Sequence, residues 1–595
     1  MKKIFLIVFS VLLMFSTAAC AGKVSNESSS AADASMTESE ENIGTESSEP
    51  SESLSETSES KSSGTISEPT AEKGDLALGK MDKKTVITVG MMTGDARTEA
   101  DIKKSNAMKK LIEEKLNIVI EWEWQLPWAE HDKQVMLSVA TNRLPDVVLM
   151  RDPQLVKQCA LNDKLKDLTD CQKYFGEHMK ASYASVPNNA ALKSMTFNNR
   201  LYGIPACALS GQEPYLWIRE DWLENLDLDA PVTVDDVFNV AKAFIQDDPD
   251  GNGKKDTIGL PLNTWTLSTS GNNGFANVAP IFAAYNAFPG VFYKNSAGKV
   301  IYGSIQPEVK TALAKIKAQV KAGTIITSTT GQNEIASGTC GMIFGPWWAA
   351  CSASGWVSAS RQNDKFARWI CVPAPLNSQK KYMVADVLPG KGIGIVINKN
   401  CAAPEAAIKV LNLYWDAFQL GLDKYSDFVK RYDQIIGSDK LRPSSGTSGI
   451  ECQIEPIDKL KKTYFDMVSY IKNGVPSNAS SKKKENIKNF ISYYNQFQKD
   501  QSKLSIEGWR SVMQMVGSEP LASSSVSYFS QVYDKSFMDS DLKETYEMLN
   551  SLCAQKYRGI VLDDNANIDL FDAFVAEWKS KGGNKLLEAA AKFAK

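Results

Sequence analysis

The sequence predicts an α/β protein carried behind an export signal and a disordered tether. Three observations lead there. The first twenty residues pair a positive start with an apolar run ending at a cysteine. Some fifty residues dominated by Ser and Glu follow. Beyond them, short apolar runs alternate with stretches of helical periodicity, the pattern of a layered α/β domain.

Lys2 and Lys3 open the leader, and residues 4–15 are almost wholly apolar. A dozen apolar residues cannot span a bilayer but suit a secretory signal. Ala18-Ala19-Cys20 resembles a bacterial lipobox, in which Cys20 becomes the lipidated first residue; Thr17 stands where Leu or Val is usual. The alternative is an ordinary cleaved signal with an incidental cysteine. A diacylglycerol supplies the two acyl chains that stable anchoring needs. Residues 21–80 read as a tether, since block 21–70 holds 16 Ser and 10 Glu and no aromatic residue. Such a flexible chain spans roughly 45 Å. Residues 74–81 imitate a phosphate-binding loop, but Met81 replaces the Ser/Thr and no strand precedes Gly74, so that reading fails.

The globular elements follow in order. Residues 86–92 read as a strand, and Met108, Leu111, Ile112 and Leu116 recur at helical spacing. A strand with one exposed face is expected from Ile118 through Trp124, then a helix over 129–141 and a buried strand over 145–150. Ligands of open α/β sheets sit beyond the carboxyl ends of strands, which marks the loops at Asp95, Trp128 and Asp152. Strands are expected again at 215–219, 341–344 and 392–398. Helices are expected from Thr233 (an N-cap) through Phe244, over 307–322 before Gly323, and over 404–419. After residue 450 the pattern is mainly helical.

Asp248-Pro249-Asp250-Gly251-Asn252-Gly253-Lys254-Lys255-Asp256 matches the first nine positions of a calcium loop. Asp248, Asp250, Asn252, the Lys254 carbonyl and Asp256 supply oxygen at positions 1, 3, 5, 7 and 9, and Gly253 fills the turn. Gly259 stands where a bidentate Glu is usual. A structural Ca2+ is expected; the alternative is an Asp/Asn/Gly turn that needs no ion.

Composition excludes other chemistry. The chain carries −3 overall with a strongly acidic tether, so the rest is near neutral and nucleic-acid binding is not expected. With only His131 and His178, no His-rich metal centre is available. Ten cysteines include Cys20, which leaves an odd number and no C-x-x-C pair; buried free thiols are the default, and a Cys340–Cys351 bridge lacks support from sequence.

Several segments in order resemble the extracellular solute-binding proteins of ABC importers, in their carbohydrate-oriented lipoprotein group. They are Leu144-Pro145-Asp146-Val147-Val148, Leu201-Tyr202-Gly203-Ile204-Pro205, Leu216-Trp217-Ile218-Arg219-Glu220-Asp221-Trp222-Leu223, the loop from Asp248 to Asp256, Gly345-Pro346-Trp347, and Glu577-Trp578-Lys579 with Gly582-Gly583. The resemblance implies a two-lobed, periplasmic-binding-protein-like (type II) fold with hinge strands and a ligand cleft. It places lobe 1 in 81–207 and 390–450, lobe 2 in 208–389, and a mainly helical 451–595 contributing to lobe 2 and the cleft. It implies no enzymatic activity: a monomer, lipid-anchored on the outer face of a Gram-positive membrane, passes an oligosaccharide to permease subunits. Family members also tend to carry a calcium site, although Thr257 stands here where an acidic residue often follows the last Asp.

Sugar rings need flat apolar faces, and thirteen tryptophans are available. By resemblance to maltose-type binders, Trp347 is the expected stacking platform and Trp509 the aromatic of the late helical segment. Trp348, Trp128, Trp217 and Trp265 are further candidates near strand ends and loops. Each could equally pack in the core, as expected for Trp122, Trp124, Trp222, Trp415 and Trp578. Arg219 and Asp152 are candidate hydroxyl partners or structural ion-pair members. A peptide or signal receptor on the same fold remains open, and so does an anchored glycoside hydrolase, since 70 acidic residues make carboxylate pairs uninformative.

Overall fold

A computed structural model describes residues 75–594, apart from 94–97, 208–210, 212, 269–273, 329–330, 353–354, 387–392, 420–422, 437–448, 451, 523–525 and 533–536. Cys20, Asp95 and most of the expected tether lie outside the described residues. Residues 75–80 do not belong to a tether. Leu78 is buried, the Asn412 amide donates to the Ala77 carbonyl (2.8 Å), and Lys409 Nζ donates to the Gly79 carbonyl (2.7 Å). The apolar run Leu76-Ala77-Leu78 gives this stretch something to bury, which the Ser/Glu block lacks.

The first core forms around β1 (Thr85–Thr93), α1 (Glu99–Leu116), β2 (Ile118–Pro127), α2 (Trp128–Ala140), β3 (Val147–Met150), α3 (Pro153–Leu161) and β4 (Ile204–Pro205). The helix α1 starts because Thr98 and Asp101 form a reciprocal capping box, and it stops at Asn117 in the left-handed region. Parallel pairing of β1 with β2 and β3 buries Ile87, Val89, Ile118, Ile120 and Val147. The register slips between Val89 and Gly90, and only glycine fits there: a Cβ on Gly90 would lie 2.4 Å from the Trp124 ring. Trp122 and Trp124 are both half-buried.

The chain then crosses to a second side. There β5 (Tyr215–Arg219) is followed by α4 (Val234–Gln246), β6 (Leu260–Asn263), β7 (Met342–Gly345), β8 (Trp369–Val372) and β9 (Tyr382–Ala385). Thr233 caps α4 in a box with Asp236, as its sequence position predicts. Strand β5 lies between β7 and β8, antiparallel to both, and all five of its residues are buried. Leu216 and Ile218 face one core; Tyr215 and Trp217 face another beneath the late helices.

The chain returns through β10 (Gly394–Ile397), which completes the first sheet in the order β2-β1-β3-β10-β4, and α5 (Pro404–Leu413). It crosses a third time into α6 (Lys459–Asn473), α7 (Ser481–Asp500), α8 (Ile506–Ala522), β11 (Val526–Phe529) and α9 (Ser540–Leu562). Trp222, Trp415 and Trp578 are core residues, as expected. The nine cysteines after Cys20 are free thiols, so Cys340 and Cys351 form no disulfide. No helix among the described residues is long and apolar enough to cross a membrane.

Candidate functional site

Strand register locates two sheet ends that border the crossings. On the first side, Gly394 pairs with both Met150 and Pro205, so one crossing leaves and another enters where β3 ends. The parallel neighbours β1 and β2 end there too. Thr93, Trp128, Arg151 and Asp152 therefore share that edge. On the second side, Tyr215 pairs with Gly345, which puts the Pro346-Trp347-Trp348 turn beside the arriving chain. A parallel bridge between Ile258 and Cys340 runs β6 alongside β7, so Trp265 follows a strand ending on the same edge.

The first end is polar. Trp128 is 53% exposed, with the Arg151 guanidinium 4.3 Å over its ring. Arg151 is itself paired to Asp132 at 3.0 Å. Asp152 caps α3 by accepting the Gln154 N–H (2.8 Å), and its other oxygen lies 3.7 Å from Lys543 Nζ on α9. Since α9 packs in the second core, that ion pair joins the two sides.

The second end is aromatic. Trp347 and Trp348 are half-buried. Trp348 meets Phe275 edge-on (5.5 Å), and Phe275 stacks on Trp356 (4.0 Å). Helix α8 fixes the turn from below, where a Cβ on Gly517 would lie 2.0 Å from the Trp347 carbonyl oxygen. The Trp347 indole N–H is buried without a partner, but Trp122, Trp222, Trp415, Trp509 and Trp578 share that property, so it singles out nothing. Trp265 is 62% exposed, with Arg558 4.3 Å over its ring.

Three expected site residues have other tasks. Trp217 is fully buried at the centre of the three-stranded sheet and donates its indole N–H to the Pro346 carbonyl (2.8 Å). Trp509 is fully buried on α8. Neither presents a face to a ligand; Trp217 instead ties the Trp347 turn to the sheet. Arg219 lies at the far end of β5, where Asp221 (2.8 Å) and Asp364 (3.0 Å) engage its guanidinium above Trp222. It is the structural ion-pair member, because a buried guanidinium needs its charge matched locally. Sequence reasoning missed Phe275, Trp356, Arg151 and Lys543. Arg151 directly follows a strand end and could have been found; Phe275 sits in an aperiodic loop with no signal.

The crossings carry buried acid. Glu213 accepts the hydroxyls of Tyr215 (2.8 Å) and Tyr528 (2.7 Å), and burial raises its pKa. Both histidines are structural: His131 bridges Trp124 and the Leu149 carbonyl, while His178 stacks on Trp415, and burial lowers both pKa values.

In the expected calcium loop, Gly251 and Gly253 adopt positive φ. Asp248 accepts the Gly253 N–H (3.0 Å) and leaves its other carboxylate oxygen buried without a partner. The Asn252 amide bridges Asp250 (2.8 Å) and Asp256 (3.2 Å). Partial burial, then the Asp248 and Asp256 carboxylates, raise the pKa of Asp250. Thr257 turns inward to donate to the Phe244 carbonyl (2.6 Å), so it is no ligand. Among the described residues, no three His, Cys, Asp or Glu side chains are gathered closely enough to hold a metal as they stand.

Comparison with known proteins decides the family. The model for bacterial extracellular solute-binding proteins matches residues 99–414. The chain belongs to that family. The polygalacturonan/rhamnogalacturonan-binding protein YtcQ of Bacillus subtilis (strain 168) is 30% identical over 251 residues, covering 41% of this chain and 47% of that protein. The match thus spans about half the length of this curated relative. An extracellular solute-binding protein from Bifidobacterium longum subsp. infantis superposes with a TM-score of 0.56 at 17% identity, covering 87% of this chain and 98% of that one. An EF-hand mutant of the Streptococcus pneumoniae ABC-transporter substrate-binding protein FusA, in complex with fructo-nystose, gives 0.57 at 16%, covering 86% and 99%. At such identities the likeness concerns the fold, which is the two-lobed α/β fold of solute-binding proteins.

Proposed function

We propose that this solute-binding protein captures an oligosaccharide between its two lobes and delivers it to the permease subunits of an ABC importer. The observation that carries the reading is the pairing of an aromatic sheet end (Trp347, Trp348, Phe275, Trp356) with a polar one (Trp128, Arg151, Asp152). Pyranose rings present apolar C–H faces and a rim of hydroxyls. Rigid indoles match the faces at little entropic cost. The carboxylate and guanidinium match the rim, and closure of the lobes removes the water that competes with those hydrogen bonds. YtcQ is a polygalacturonan/rhamnogalacturonan-binding protein and FusA is in complex with fructo-nystose, both carbohydrate ligands, which supports this class.

In this reading Cys20 carries the lipid, residues 75–207 and 390–450 build the first lobe, and the chain works as a monomer outside the membrane. The 248–256 loop binds Ca2+ through Asp248, Asp250, Asn252, the Lys254 carbonyl and Asp256. The orphaned Asp248 oxygen and the mutual repulsion of three carboxylates suit a cation. Asn252 then has to turn its amide oxygen inward. The ion supplies structure, because the loop stands apart from both aromatic and polar sheet ends.

A thermal-shift panel of oligosaccharides and peptides, with and without Ca2+, tests this. A ligand at a hundred times its Kd stabilises by about 2.7 kcal/mol. Stabilisation by sugars supports the reading. Stabilisation by peptides alone moves the protein to a peptide receptor, and release of reducing ends makes it a hydrolase.

A further inference from the structure

Trp265 and the outer face of α9 enclose an open hollow of about 650 Å³, within the usual size range of small-ligand sites. Ser551, Gln555, Arg558 and Leu562 recur at helical spacing along one stripe of α9, while Leu549, Cys553, Tyr557 and Ile560 turn inward to the core. Gly559 lies on the lining, where an added Cβ would meet nothing within 4 Å. Glycine inside a helix is unfavourable by about 1 kcal/mol relative to Ala. No neighbour demands it there, and its effect is to leave the hollow unfilled.

The turn that carries the Trp265 indole is fixed by hydrogen bonds. The Asn263 side-chain oxygen accepts the Trp265 backbone N–H (3.0 Å), and Thr266 Oγ1 donates to the Asn263 carbonyl (2.8 Å), which fixes the turn after β6. Arg558 lies with its guanidinium carbon 4.3 Å from the ring centre. The described residues contain two other Arg–Trp stacks, Arg151 on Trp128, also at 4.3 Å, and Arg219 on Trp222 at 5.0 Å, and Arg219 is paired with Asp221 and Asp364. Arg151 is neutralised by Asp132, whereas Arg558 has no ion pair among the described residues. Asp563, also on the lining, turns its carboxylate to the Asn565 N–H (2.9 Å). Lys317 adds a further positive charge at that end, donating to the Ile560 carbonyl at 3.0 Å.

We propose that the Trp265–Arg558 hollow is a second recognition point, which binds a carboxylated sugar ring, that is, a uronate residue. The proposal rests on the carbohydrate reading above and adds the charge of the sugar. The free face of Trp265 takes the C–H face of the ring. Stacking occupies the flat of the guanidinium and leaves its in-plane N–H edge, whose fork geometry fits bidentately the carboxylate of the neighbouring uronate in the chain. Gln555 and Ser551 are spaced along α9 for the hydroxyls. A neutral ring would gain the indole but leave Arg558 unmatched.

The test is a calorimetric titration of the full-length chain in detergent micelles, at low salt, with tri-galacturonate and with its methyl ester. Tri-galacturonate is expected to bind about tenfold or more tightly than the ester, as a charge-assisted hydrogen bond provides. Arg558→Gln is expected to bring the acid down to the level of the ester. Trp265→Ala is expected to weaken both. Both sites are on the surface, and an unchanged melting temperature checks that the variants fold. Equal affinity for acid and ester, or an acid preference that survives R558Q, overturns the proposal. If neither probe binds while neutral oligosaccharides stabilise the chain, the uronate site fails and the carbohydrate reading stands. If no saccharide of any kind binds, the carbohydrate reading fails first.

Discussion

The two sheet ends that border the crossings are built on different principles. On the second side, aromatic rings are wedged together and clamped from below: Trp217 bonds the Pro346 carbonyl, and Gly517 admits the Trp347 backbone. On the first side, Trp128 and Asp152 stand half in solvent; Arg151 and Asp152 are held by ion pairs, and the Arg151 guanidinium covers the Trp128 ring. The contrast teaches a division of labour. In the proposed reading the packed end serves as a preorganised platform and the polar end closes on what the platform holds.

Disrupting the packed end should therefore cost the most. Trp217→Ala removes a fully buried indole and should destabilise by about 3–5 kcal/mol in denaturant titration. Trp265→Ala, at an exposed site, should barely change stability. Gly517→Ala forces a methyl against the Trp347 carbonyl and should cost about 1–3 kcal/mol while weakening sugar binding. Gly559→Ala, which meets open space, should be neutral or stabilising by up to about 1 kcal/mol.

A pH-dependent effect sharpens the same contrast. Glu519, on the clamping helix α8, has its pKa pushed up to about 7 by burial and then by the Glu220 carboxylate. Between its ordinary value of 4.5 and 7 the folded state keeps a proton that the unfolded chain loses. The native state is thus progressively penalised as the pH rises through that window. Glu519→Gln should match the wild type at pH 5 and exceed it by about 1–3 kcal/mol at pH 8, read from melting curves at both pH values. The polar end should respond least. Asp152→Asn breaks a half-exposed pair worth less than about 1 kcal/mol, and its small effect on sugar affinity should vanish in high salt.

Much of this was legible in the sequence, for physical reasons. The Thr233 cap, the strand at 147–150 and the helix after Pro307 follow from local patterns that need no tertiary context. The positions of Trp347 and Asp152 were legible because each lies two residues after the end of an apolar strand, at Gly345 and Met150. Trp217 was misread because β5 is buried on both faces, so no alternation separates a core indole from a ligand-facing one. Trp509 and Arg219 failed likewise, since only packing reveals that a helix face or an ion-pair partner covers them. Phe275 and the Asp152–Lys543 pair depend on contacts between distant segments, which no local pattern encodes.

The most direct measurement is a calorimetric titration of the wild type and Trp347→Ala with an oligosaccharide that stabilises the full-length chain. The platform account predicts that W347A keeps its fold and loses binding by at least about thirtyfold, some 2 kcal/mol. Undiminished affinity in a folded W347A protein would contradict it and move the recognition surface away from the aromatic sheet end.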